Sequence, residues 1–124
     1  MATIELTEAS LEKTVVENDI VVIDFWAPWC GPCKSFGPIY EEVSEKYPDV
    51  VFAKVNTEVE QAIAAHFQIR SIPTLMIFRE QIVLFSEAGM IPGNALEELI
   101  QQVKKLDMDK VKAEIEAAQA DQNA

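Results

Sequence analysis

The chain contains two cysteines, Cys30 and Cys33, three positions apart within the stretch WAPWCGPCK at residues 26–34. If a helix begins between them, the first sulfur lies at the helix N-terminus, where free N–H groups and the helix dipole favour a thiolate. The second sulfur lies one turn later on the same face, close enough to form a disulfide. This spacing predicts that Cys30 attacks a partner's disulfide and that Cys33 resolves the mixed disulfide.

Two other uses of the cysteines are a static structural disulfide and a zinc site. A ring closed over so few residues gives little entropic stabilisation, which argues against a purely structural crosslink. Zinc normally takes four ligands, and the chain offers two cysteines and one histidine, His66. His66 is predicted on a helix without ligand spacing around it. We therefore interpret it as a helix-face residue and expect no metal site.

Asp24 is the one charged residue in the apolar run IVVIDFWA. Alternation along a strand places it on the same face as Val22 and Trp26, so burial should raise the pKa of its carboxyl. Such a carboxyl could take the proton of Cys33 through a water molecule. The alternative is a wetter strand end or a simple hydrogen bond. Lys54, the only charge in VVFAKVN, either pairs with Asp24 or faces solvent.

Pro73 opens the predicted strand in SIPTLMIF. The start of a strand is one of the few sheet positions that tolerate proline. A cis bond before it would present backbone groups near the thiols, but the residues alone favour an ordinary trans proline.

The remaining sequence predicts the order β-α-β-α-β-α-β-β-α. A short first strand at residues 3–5 precedes a helix that begins behind Thr7. Buried strands then alternate with helices, and TLMIFR and IVLFSE have the spacing of a hairpin. The closing helix has an apolar face. This order indicates an α/β protein with a mixed sheet.

Length and charge limit the class of protein. The 124 residues fit one domain over 1–106, followed by an acidic extension over 107–124. With 21 acidic and 10 basic residues, the net charge of -11 argues against nucleic acid and anionic membrane as partners. We see no secretory signal or membrane-length apolar run, so we expect a cytoplasmic protein. We expect the extension to be a solvated tail. The alternative is an amphipathic, partner-binding helix through Met108, Val111 and Ile115.

The stretch DFWAPWCGPCK at residues 24–34 resembles the active-site segment of the thioredoxin family. The similarity continues through Pro38, AKVNT at 53–57, IRSIPTLMIF at 69–78, and Gly89. It covers roughly residues 3–106. It implies the thioredoxin fold, in which a central mixed sheet is flanked by helices on both faces.

The resemblance also implies roles for residues of this chain. Cys30 would attack, Cys33 would resolve, and Asp24 would be the buried acid that deprotonates Cys33, with Lys54 beside it. The bond before Pro73 would be cis. Gly31 and Pro32 would tune the redox potential. An apolar rim on which the substrate docks would be formed by Trp29, Ile72, Pro73, Gly89 and Met90.

The implied function is that of a monomeric protein disulfide reductase and dithiol electron carrier. It would bind no cofactor and receive electrons from NADPH through a flavoprotein, thioredoxin reductase. One alternative is a binding or chaperone-like module that acts independently of the thiols. Another alternative is a dithiol oxidant, a function that would require an exported protein and a cysteine pair whose sequence stabilises the thiolate more strongly. The intact CGPC, Asp24 and the Pro73 loop favour the reductase.

Several positions depart from the family pattern. The family usually has a glycine in the turn between the last two strands, where this chain has Glu80 and Gln81. A turn that needs a positive φ would be strained with Gln81. Gly37, Pro92 and Gly93 are further departures. They leave the thiol chemistry intact.

Overall fold

The structure, a computed structural model, describes residues 2–123. Its elements follow the predicted order, with one more helix at the C-terminal end: β1 (Thr3–Glu5), α1 (Glu8–Glu17), β2 (Ile20–Trp26), α2 (Gly31–Lys46), β3 (Val51–Asn56), α3 (Gln61–His66), β4 (Thr74–Arg79), β5 (Ile82–Ala88), α4 (Gly93–Lys105) and α5 (Met108–Asn123).

Strand β2 lies at the centre of a five-stranded sheet with the order β1-β3-β2-β4-β5. Strand β3 runs parallel to both β1 and β2, whereas β4 runs antiparallel to β2 and β5. The predicted mixed sheet is therefore confirmed. Its central strand is IVVIDFW, in which every residue up to Phe25 is buried, as expected for a strand covered on both faces.

Helices cover both faces of the sheet, as predicted. On one face, α2 and α4 bury the side chains of Phe36, Tyr40, Leu96 and Ile100 against Val22 and its neighbours. On the other face, Ile63 of α3 and the partly buried Leu11 and Val15 of α1 pack against Val21, Ile23 and Phe25. Asp24 follows Val22 by two residues, so its side chain lies on the face covered by α2.

The extension beyond residue 106 forms helix α5. The helical form that the sequence allowed is therefore present. Met108 is buried at its start and Val111 and Ile115 are half-buried, whereas most of the other side chains are exposed. The Lys112 ammonium lies 2.5 Å from a carboxylate oxygen of Glu80. Over residues 2–123, none of the helices is both long and apolar enough to cross a bilayer.

The turn between β4 and β5 consists of Glu80 and Gln81, with φ angles of 49° and 69°. A two-residue hairpin loop with two positive φ angles is the turn that favours Asn or Gly. Neither residue is Gly, and a left-handed conformation costs a residue with a side chain about 1–2 kcal/mol. The strain expected at Gln81 is therefore present in the fold.

Gln81→Gly should stabilise the protein, because glycine adopts a positive φ without a Cβ clash. We expect the free energy of unfolding to rise by about 0.5–1 kcal/mol, measured by urea denaturation. The control is Gln102→Gly in the regular helix α4, where glycine should destabilise by about 1 kcal/mol. If the substitution at position 81 also destabilised, the turn would not be strained.

Candidate active site

Helix α2 begins at Gly31, so its N-cap is Cys30, as the spacing of the cysteines predicts. Cys30 and Cys33 form a disulfide, with their Cα atoms 5.2 Å apart. The backbone N–H of Cys33 donates a hydrogen bond to the Sγ of Cys30 at 3.2 Å. A sulfur that accepts such a bond at a helix N-terminus is stabilised as an anion when the disulfide opens.

The disulfide lies in a small apolar cluster at the end of β2. Both cysteines are 4% exposed and pack with the buried Ala27 and the partly buried Trp26 and Ile72. Trp29, directly before the pair, is 66% exposed. An exposed aromatic side chain therefore lies directly beside the buried disulfide.

The Ile72–Pro73 peptide bond is cis, so the trans proline favoured by the residues alone is wrong and the expectation from the resemblance is confirmed. The carbonyl oxygen of Ile72 lies 3.7 Å from the Sγ of Cys30. The N–H of Gly89, whose φ is 100°, donates to the carbonyl of Pro73 at 2.8 Å. Met90 follows and is 42% exposed. These contacts link the segments that carry the predicted rim to the disulfide.

Asp24 is fully buried, and its two carboxyl oxygens have no hydrogen-bond partner among the described residues. Burial raises the pKa of Asp24 to about 7, an effect that Lys54 partly opposes and Glu5 reinforces. The alternatives of a wet strand end or a satisfied hydrogen bond therefore do not describe this carboxyl. It can hold or release a proton near neutral pH.

Lys54 lies directly opposite Asp24 in the parallel pairing of β2 and β3. Its Nζ is 4.7 Å from the centroid of the Trp26 ring, a cation–π contact. In the part of the chain that the structure describes, the lysine makes no direct salt bridge with Asp24. Its effect on the carboxyl is therefore electrostatic and acts at a distance.

Two residues near the carboxyl were not identified from the sequence. Glu5 lies opposite Lys54 in the pairing of β1 and β3. The buried hydroxyl of Tyr40 lies 3.0 Å from the carbonyl oxygen of Val22 and 2.8 Å from that of Ala53, and so donates to this pair of backbone groups. The signal for Tyr40 is a phenol on an otherwise apolar helix face, whereas Glu5 is recognisable only once the strand pairing is known.

His66, the remaining metal-ligand candidate, is exposed at the end of α3 and packs edge-on against Phe67, with ring centroids 4.9 Å apart. Within residues 2–123, no three His, Cys, Asp or Glu side chains are grouped to hold a metal ion.

The chemistry of this site is an exchange between a dithiol and a disulfide, so the fold and the site define a thiol–disulfide oxidoreductase. The Thioredoxin family model matches residues 2–105. A putative thioredoxin 2 of Streptomyces coelicolor is 52% identical over 119 residues, which are 96% of this chain and 89% of that protein. Thioredoxin 1 of Synechococcus elongatus is 42% identical over 93 residues, 73% of this chain and 87% of that protein.

Among solved structures, a single-site mutant of a thioredoxin from Halobacterium salinarum superposes with a TM-score of 0.78 at 30% identity. The match covers 84% of this chain and 92% of that one. The chain belongs to the thioredoxin family, and it is a protein disulfide reductase that uses its own Cys30–Cys33 dithiol.

Asp24→Asn should stabilise the oxidised protein at high pH. The folded-state pKa of about 7 lies above the ordinary 3.8, so the folded protein binds the proton more tightly than the unfolded chain does. Stability is therefore lost as the pH rises from about 4 to 7. At pH ~8 we expect the substitution to raise the free energy of unfolding by about 2–4 kcal/mol, with a small difference at pH ~4.

Urea denaturation at the two pH values measures this difference. The matched control is Asp121→Asn on helix α5, where the residue is exposed. This substitution should change the free energy of unfolding little at either pH. An equal gain from Asp24→Asn at both pH values would show that the buried charge is not its cause.

Proposed function

We propose that Cys30 is the attacking thiol of the reductase and Cys33 the resolving thiol. The contact that supports this order most directly is the hydrogen bond from the Cys33 N–H to the Cys30 sulfur at 3.2 Å. Among the described residues, the sulfur at the N-cap is the one that accepts a backbone N–H bond, so its thiolate is the better stabilised of the two.

In the first step the Cys30 thiolate attacks one sulfur of the substrate's disulfide. A bond forms between these two sulfurs, and the other substrate sulfur leaves as a thiolate. In the second step Cys33 loses its proton, and its thiolate attacks the Cys30 sulfur. The intramolecular disulfide forms, and the second substrate thiolate leaves. The dithiol has then given two electrons to the substrate.

Asp24 is the proposed acceptor of the Cys33 proton, with a water molecule between them. Its burial and its pKa of about 7 support this role, because a base is most effective when its pKa lies near the working pH. Lys54 is proposed to limit the rise of that pKa. Gly31 and Pro32 occupy the first helical positions between the sulfurs, and we propose that they tune the redox potential.

The proposed substrate-docking rim consists of the exposed Trp29 and Met90 together with Ile72, Pro73 and Gly89. An extended segment of a partner protein would lie across the two exposed side chains and pair with backbone next to Pro73. The proximity of the Ile72 carbonyl to the Cys30 sulfur, at 3.7 Å, supports this placement.

The wider assignments follow from the same function. We propose that the chain binds no cofactor and is reduced by a thioredoxin reductase, a flavoprotein that takes electrons from NADPH. We propose a monomeric, cytoplasmic protein with a thioredoxin domain over 1–106 and a separate extension over 107–124. The net charge of -11 supports protein partners over nucleic acid or membrane.

Cys30→Ser should abolish the reduction of insulin disulfides with dithiothreitol as electron source. The rate should fall to that of dithiothreitol alone, because no thiolate remains at the N-cap. Cys33→Ser, reduced beforehand and freed of dithiothreitol, should instead accumulate a mixed disulfide with the substrate, visible on a non-reducing gel. Insulin turbidity measures turnover.

The matched control is Ser35→Ala, an exposed position in the first turns of α2, which should keep wild-type activity. Full biological function in a Cys30→Ser variant that has no insulin activity would favour the binding-module alternative.

A further inference from the structure

Three charged residues form a row across neighbouring strands of the sheet. Glu5 of β1 is opposite Lys54 of β3, and Lys54 is opposite Asp24 of β2. Directly paired residues project from the same face of a sheet, and adjacent strands are about 4.8 Å apart. The row therefore places a lysine between two acidic residues, on the face that α2 covers.

The ends of this row differ in their access to water. Asp24 is fully buried, whereas Glu5 is exposed at the sheet edge. The lysine between them contacts the Trp26 ring and makes no direct salt bridge to either carboxyl among the described residues. The Lys54 charge therefore acts on both carboxyls through space and is not paired directly with either.

We propose that Glu5 is a positioning residue for disulfide exchange, which acts on Asp24 by competing for the Lys54 ammonium. The inference rests on the proposed role of Asp24 as the acceptor of the Cys33 proton. With Glu5 ionised, Asp24 receives less stabilisation from Lys54 and also feels a second negative charge. Its carboxyl then remains a stronger base toward Cys33.

The electrostatic surroundings of both carboxyls agree with this competition. Glu5 raises the pKa of Asp24, after burial as the main cause and against the opposing effect of Lys54. The pKa of Glu5, which is exposed but has part of its carboxyl shielded at the sheet edge, is raised by desolvation and lowered by Lys54 and by Trp26. Both acids thus respond to the same ammonium group.

Other titratable groups also face Asp24 and have to be controlled for. Helix α2 contributes Tyr40, whose phenol interacts with the charge of Asp24 and is fixed by the carbonyls of β2 and β3, whereas Cys33 is held in the disulfide of the oxidised protein and does not titrate. Strand β4 contributes the apolar Leu75 opposite Asp24, and β5 contributes Glu87 opposite Leu75. Helix α4 contributes Leu96 and Ile100 to this face.

Glu87 provides a matched control within the same row. Like Glu5 it lies two strands from Asp24 and is exposed, but the residue between is Leu75 instead of Lys54. Glu87→Gln and Glu5→Gln remove the same charge at the same number of strand steps. A difference between the two variants in the pKa of Asp24 therefore measures the contribution of Lys54.

The test is an NMR titration of the Asp24 side-chain carboxyl carbon in the oxidised, full-length protein. Glu5→Gln should lower the midpoint by about half a pH unit. Glu87→Gln should change it by less than half as much, and Glu5→Asp, which keeps the charge, should restore most of the wild-type value. Lys54→Met should shift the midpoint in the opposite direction, upward.

A second readout follows the reaction itself. Reduced protein is mixed with a chromogenic aromatic disulfide, and the release of the second thiolate is followed by stopped flow across pH. The rate of this second release, plotted against pH, should begin to rise at lower pH in Glu5→Gln and should reach a lower plateau. The reason is that Asp24 becomes a weaker base. A merely structural role of Glu5 would lower thermal stability without moving the pH at which this rise begins.

The inference fails if Glu5→Gln leaves the Asp24 midpoint unchanged, or if Glu87→Gln shifts it equally. In either case the wild-type protein still reduces insulin and the proposed function stands. Loss of that activity in the wild type, at every pH, would instead remove the proposed function and this inference with it.

Discussion

The burial of one carboxyl group in the most enclosed strand of the sheet is the constraint on which the site depends. Strand β2 is covered on both faces, so Asp24 is shielded from solvent and has no hydrogen-bond partner among the described residues. Burial opposes its charged form and brings its pKa to about 7. The protonation of this carboxyl is therefore determined by how the core packs around β2.

Helix α2 joins the two halves of the site. Its first turn carries the disulfide, while Phe36 and Tyr40, further along, pack over β2 and close the core around the carboxyl. The phenol of Tyr40 also donates to backbone carbonyls of β2 and β3. The helix that presents the N-cap sulfur thus also shields the acid from bulk solvent, so the placement of the sulfur and the burial of the carboxyl come from the same packing.

The parts that could be predicted from the sequence are those fixed by local pattern. The spacing of Cys30 and Cys33, the run around Asp24 and the alternation of strands and helices predict the fold order and the centre of the site. The cis bond before Pro73 came from the family resemblance, because the residues alone favour trans. The row that contains Glu5 depends on the register of three strands far apart in the chain, which no local pattern encodes.

The strained turn and helix α5, which lies beyond the residues that the family model matches, meet far from the thiols. Strand β4 begins beside the site, after Pro73, and ends at the turn, after Arg79. Its six extended residues span roughly 17 Å or more. Lys112 of α5 contacts Glu80 in this distant turn. Solvent-exposed charges are largely screened beyond about 8 Å at physiological ionic strength. Changes at the turn therefore alter stability, while the buried acid keeps its surroundings.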